Sequence, residues 1–189
     1  MSPIPSSQNG PAGPKAGADD TLFDKVGWRL LPLLIVCYVV AYLDRINVGF
    51  AQPEMKKSLP FSDEAYAMGA GVFFIGYLLF EVPSNLLLER IGARKTLLRI
   101  MFLWGICAAA IMFVQTPVQF YVLRFLLGAF EAGFFPGIIL YLTYWYPAAR
   151  RAKIIAIFMA ATPIAYIIAG PLSGFIMKYM DGWAGWHGW

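Results

Sequence analysis

The chain has 189 residues, of which 59% are hydrophobic and only 14% charged, and its formal net charge is +4. A soluble domain carries about 25% charged residues, so these charges are too few to clothe a soluble surface and the composition is that of a polytopic membrane protein. The basic excess does not point to nucleic acid, because the Lys and Arg residues sit between apolar spans rather than along one face.

Residues 1–22 are rich in Pro, Gly, Ser and Asp; they cannot bury a core and are expected to form a disordered cytoplasmic tail. Residues 23–189 are expected to form an all-α transmembrane bundle. No short basic region, apolar stretch and cleavage site opens the chain, so the first apolar span is expected to act as an uncleaved targeting signal. Crossing the hydrocarbon layer takes about 20 mainly apolar residues, and five segments qualify: 28–51, 66–88, 96–114, 118–146 and 152–177. Trp28, Trp145 and Tyr146 suit interfacial belts.

The loops alternate in charge. On one side lie Lys15, Lys25, Arg29, Arg90, Arg94, Lys95, Arg99, Arg150, Arg151 and Lys153; on the other only Lys56, Lys57 and Lys178. Ten against three puts the N-terminus in the cytoplasm of a cell-membrane protein, the bacterial inner membrane being the expected site.

In the first span, Tyr38, Tyr42, Arg45 and Gly49 recur at helical spacing and form one polar stripe. Asp44 is about 100° away from Arg45 and points elsewhere. An ionisable group at bilayer depth costs at least about 2.5–3.5 kcal/mol and normally faces a protein interior or a wet cavity. Near the end of the second span stand Tyr77 and Glu81, one turn apart; Glu81 reads as a gate or helix-end partner, or as a further proton site.

The fourth span holds Arg124 and Glu131. Seven residues apart, they share a helix face about 10.5 Å apart along the axis, and Gly128, Ala129 and Ala132 beside them leave room for a neighbouring helix or a ligand. One arrangement satisfies every charge: Asp44 pairs with Arg124, and Arg45 opens to the cavity. The four groups are either two structural ion pairs or a site. Buried pairs add little stability, because desolvation offsets attraction, and four such groups in hydrocarbon favour a site.

Small-xxx-small pairs, Gly133 with Gly137 and Gly170 with Gly174, are expected to let backbones approach. Pro136 and Pro163 remove backbone donors inside the fourth and fifth spans and are expected to kink them. Cys37 and Cys107 lie inside apolar spans, which argues against a disulfide framework, and the single histidine, His187, is too isolated to mark a metal site. The closing run from Gly182 to Trp189 reads as the start of another helix, so the five spans are expected to belong to a longer protein.

The connection after the second span, Asn85-Leu86-Leu87-Leu88-Glu89-Arg90-Ile91-Gly92-Ala93-Arg94-Lys95, resembles the G-x-x-x-D-R-x-G-x-R-K gating loop of the major facilitator superfamily. Asn85 stands for the first glycine and Glu89 for the aspartate, while Arg90, Gly92, Arg94 and Lys95 keep the pattern. Two more stretches, Tyr42 to Ala51 and Arg124 to Gly137, resemble the first- and fourth-helix motifs of the anion:cation symporter family within it. The resemblance covers everything after the tail. It implies the first five transmembrane helices of a six-helix N-terminal half, with a C-terminal half lying outside this chain and the site between the halves at the midplane. It further implies proton coupling at Asp44 and Glu131, charge partnership from Arg45 and Arg124, and substrate contacts from Arg45, Tyr42, Tyr77 and Thr162. Members of that family carry small organic anions such as sugar acids, tartrate and aromatic carboxylates together with protons, with no cofactor or metal.

Other readings differ in kind. A drug/proton antiporter would carry a G-x-x-x-G-P-x-x-G-G element in the fifth span, but around Gly170-Pro171 the chain has Tyr166 and Phe175 where glycines belong. An intramembrane aspartyl enzyme needs two carboxylates sharing a proton, whereas Asp44 and Glu131 each come with an arginine. A non-transporting membrane sensor on the same scaffold would bind without flux.

Overall fold

The computed structural model describes residues 15–59 and 61–181. The closing run that contains His187 lies outside the described residues. Helix α1 (Lys15–Ser58) begins within the stretch expected as the tail; good helix formers such as Ala16 and Ala18 favour that start. It is followed by α2 (Asp63–Ile91), α3 (Ala93–Ala110), a short 3-10 turn (Ile111–Phe113), α4 (Pro117–Glu131), α5 (Phe134–Trp145), α6 (Ala148–Met159) and α7 (Ala161–Met180). These helices make up five segments long and apolar enough to cross a membrane: Lys25–Ser58, Asp63–Ile91, Ala93–Phe113, Pro117–Trp145 and Ala148–Met180. Each contains or overlaps one of the five apolar spans, in order.

The starts of the helices follow local chemistry. Ser62 caps α2 by accepting from the Ala65 amide at 3.1 Å. Thr116 and Gln119 form a reciprocal capping box around α4, with Pro117 in its first turn, where no amide donor is needed.

The fourth span is broken, whereas the fifth is bent. Pro136 has no N–H to give to the carbonyl four residues back, and its ring crowds that carbonyl. The chain leaves the helix at Ala132 and passes through Gly133 at φ 83°, a left-handed conformation that glycine adopts without strain. Helix α5 then restarts so that Pro136 falls in its first turn. Pro163 only bends the fifth span: α6 gives way to α7 at Ala160, which keeps right-handed helical angles and still donates to the Ala156 carbonyl.

Packing does not follow chain order. Helix α2 packs chiefly on α4, α1 on α7, and α3 on α4 and then on α2 and α5. The fourth span is the centre of the bundle, with 56% of its apolar window buried against 22–28% for the others. Phe73, Ile100, Leu127, Ile138, Leu142 and Phe158 form the core around it. Outward-facing Leu78, Phe102, Ile167 and Phe175 are exposed, as a lipid-facing surface requires. At one end Gln52 and Lys56 of α1 reach Asp63, and the Tyr66 hydroxyl donates to the Val48 carbonyl, tying α1 to α2.

The glycine pairs behave differently from expectation. Gly133 serves the left-handed break, with Ser84 and Asn85 of α2 against it, and a side chain at Gly137 would meet Leu88. Among the described residues, Gly170 has only Phe50 nearby and Gly174 faces open space. Closer backbone approaches lie elsewhere, where Gly128 meets Phe73 and Gly76 meets Phe125.

Candidate functional site

A Cβ on Gly128 would run into the carbonyl of Phe73, and one on Gly76 into the carbonyl of Phe125. Two glycines thus let α2 and α4 touch backbone to backbone. This contact carries Phe73 and Tyr77 of α2 over the polar face of α4, where Arg124 is 4% and Glu131 2% exposed.

Arg45 crosses from α1 to this face. Its Nε donates to Glu131 Oε1 at 2.8 Å, and the arginine side chain stays 29% exposed while the glutamate behind it is closed off. The guanidinium carbon lies 5.6 Å from the Tyr42 ring, 5.5 Å from Phe73 and 5.1 Å from Tyr77. Arg124 lies 4.6 Å from the same Phe73 ring, so one aromatic side chain serves both cations. A desolvated cation–π contact contributes on the order of 2 kcal/mol, enough to hold a guanidinium in place without a second carboxylate.

This arrangement corrects the expected pairing. Asp44 accepts from Trp104 Nε1 of α3 at 3.2 Å, with no ion pair to Arg124 among the described residues. Arg45 is not left open but is held by Glu131. The cause is azimuth: adjacent residues on α1 point about 100° apart, Arg45 toward α4 and Asp44 toward α3. Arg124 Nε and Nη1 and Glu131 Oε2 are buried and make no hydrogen bond to described residues. Glu131 therefore has one oxygen without a hydrogen bond to the described residues while the other holds Arg45.

Tyr38 and Tyr42 continue the α1 stripe, their hydroxyls 3.5 Å apart. The Tyr42 ring meets Tyr166 of α7 edge-on at 6.2 Å. The Thr162 hydroxyl is buried beside Tyr38, at the restart of α7. The structure thus brings Tyr42, Asp44, Arg45, Tyr77, Arg124 and Glu131 around one centre.

It does not bring the gating stretch there. Asn85, Glu89 and Arg90 are still part of α2, and Arg94 and Lys95 belong to α3, so the expected loop is the single residue Gly92 at φ 86°. Glu89, Arg90, Arg94 and Lys95 are exposed. Asn85 lies near the Gly133 break instead.

Phe73 and Trp104 were not singled out by sequence. Phe73 sits one turn before Tyr77, and Trp104 stands in mid-span while Trp28 and Trp145 lie near span ends; both signals are present but weak. Among the described residues no group of three His, Cys, Asp or Glu side chains is assembled to hold a metal ion.

Residues 34–188 match the Major Facilitator Superfamily. The chain is 56% identical over 168 residues to a provisionally named metabolite transport protein, NicT, of Pseudomonas putida, covering 89% of this chain and 38% of that protein. It is 52% identical over 165 residues to a provisionally named tartrate transporter of Agrobacterium vitis, covering 87% of this chain and 38% of the relative. It is also 52% identical over 164 residues to a quinolone resistance transporter of Acinetobacter baumannii, covering 87% of this chain and 38% of that protein. The chain belongs to the major facilitator superfamily. It spans less than two-fifths of the length of these relatives.

Proposed function

We propose that the chain is part of a proton-coupled symporter of small organic anions, a carrier rather than an enzyme. The observation that carries this reading is the one-point contact between Arg45 and Glu131, with the guanidinium partly exposed and Glu131 Oε2 unpaired. Protonation of Glu131 releases Arg45, whose forked donors match a carboxylate bidentately. Tyr42 and Tyr77 wall the guanidinium and orient the anion. Neither a bare carboxylate nor an unpaired arginine is occluded cheaply, so the carrier reorients either with proton and anion both aboard or with neither and Arg45 paired to Glu131. Asp44, steadied by Trp104, is the second proton site and Arg124 its charge partner at longer range. The other half of the substrate shell comes from a C-terminal half outside this chain. The tartrate relative supports the anion class.

The quinolone resistance relative favours a second reading, drug/proton antiport. Two arginines beside the acids suit a cargo that bears a carboxylate, and so weigh against export of a purely cationic or neutral drug.

Arg45→Lys in the complete carrier separates the two. Lysine keeps the charge but loses the fork, so organic-anion uptake falls by about ten-fold or more for the loss of one charge-assisted bond. Unchanged anion uptake with intact drug efflux overturns the symporter reading.

The Lys/Arg distribution supports a cytoplasmic N-terminus. A cysteine replacing Arg94, in a background without Cys37 and Cys107, is then shielded from a membrane-impermeant thiol reagent applied outside the cell. Labelling from outside contradicts that orientation.

A further inference from the structure

Glu81 stands well inside the second span, about 27 Å along the helix from Asp63 and about 15 Å from Ile91. It is half-buried and makes no ion pair with the described residues. A carboxylate at that depth normally faces a wet cavity or a protein interior, and Leu78 and Val82 beside it already take the lipid side.

Its neighbours define what it faces. Glu81 follows Tyr77 by one turn, about 40° round the helix, and so continues the face on which Tyr77 meets Arg45. The charges of Glu131 and Glu81 both act on the Tyr77 phenol. Helices α2 and α4 run in the same direction, since Gly69 meets Phe120, Gly76 meets Phe125 and Ser84 meets Gly133. Glu81, three residues before Ser84, and Glu131, two before Gly133, therefore lie at nearly the same height. Of the helices around α2, α1 brings Asp44 and Arg45, α4 brings Arg124 and Glu131, α3 brings Arg94, Lys95 and Arg99 at its start, and α5 has no charged side chain.

The two acids differ in access. Glu131 is closed off behind Arg45, whereas Glu81 is half-exposed. A buried acid that loads and unloads a proton in each cycle needs a partner within hydrogen-bond reach, or one intermediary away. A tyrosine hydroxyl both donates and accepts, and Tyr77 stands between the two.

We propose that Glu81 is the relay acid through which Glu131 gives up its proton to water, at the end of α2 that carries Arg90. The proposal rests on the symporter reading. The O–H bond of Glu131 breaks, the Tyr77 hydroxyl accepts that proton and hands its own to Glu81, and Glu81 releases it to water while Glu131 takes back Arg45.

The test uses weakly buffered vesicles containing the complete carrier. Glu81→Gln slows uptake driven by a pH gradient about ten-fold or more. Exchange of labelled organic anion, which moves no net proton, stays at the parent's rate. Imidazole, a diffusible proton carrier, restores uptake, and so does Glu81→Asp. Uptake at the parent's rate by Glu81→Gln overturns the relay. Equal loss of exchange and uptake also overturns it, since that marks a gate or a folding role, as does slowing that neither imidazole nor Glu81→Asp relieves. A parent carrier without pH-driven uptake refutes the symporter reading and the relay together. Uptake lost in Glu131→Gln but kept in Glu81→Gln refutes the relay alone.

Discussion

The α-carbon of Gly128 lies against the carbonyl of Phe73, closer than any side chain permits. This contact sets the distance between α2 and α4, and with it the position of the Phe73 ring over Arg124 and Arg45. The polar site is therefore built on a backbone contact that uses no polar side chain.

Enlarging Gly128 is expected to be costly for this reason. Gly128→Ala forces α2 and α4 apart, with an overpacking cost of about 1–3 kcal/mol. Thermal unfolding in detergent should show a lowered midpoint. Gly174→Ala, where the added methyl meets open space, should leave the midpoint unchanged. Equal effects at both positions would mean that the α2–α4 contact does not set stability.

Trp104 offers a separate handle on Asp44. Trp104→Phe keeps most of the ring but removes the indole donor that Asp44 accepts at 3.2 Å. Leaving an acceptor without its partner costs about 1–3 kcal/mol. The expected result is lower stability that Asp44→Asn relieves in the double variant, because the neutral amide is cheaper to leave unpaired. Strictly additive losses would show that the two side chains are not coupled.

How much of this was legible in sequence depended on whether the signal was local. The five spans follow from apolar length, and the interruptions of the fourth and fifth follow from Pro136 and Pro163, since a missing N–H is a property of one residue. That the first became a break at Gly133 and not a kink required Ser84 and Asn85 of another helix to receive it. Helical spacing correctly separated the directions of Asp44 and Arg45. It carried no information about which helix stood in each direction, so Asp44 was matched with Arg124 when Trp104 occupies its side and Glu131 holds Arg45. The Gly170–Gly174 pair shows the converse: a local pattern for close approach, with open space beside Gly174 among the described residues.

The coupling role proposed for Glu131 is open to the most direct test. Glu131→Gln fixes the side chain in the shape and charge of the protonated acid. In vesicles containing the complete carrier, exchange of labelled organic anion across the membrane and uptake driven by a pH gradient are measured side by side. The account predicts that exchange persists while concentrative uptake is lost, because glutamine at position 131 cannot take up and release a proton in each cycle. Concentrative uptake at the parent's level by Glu131→Gln would contradict it and leave the Arg45–Glu131 contact as a structural pair.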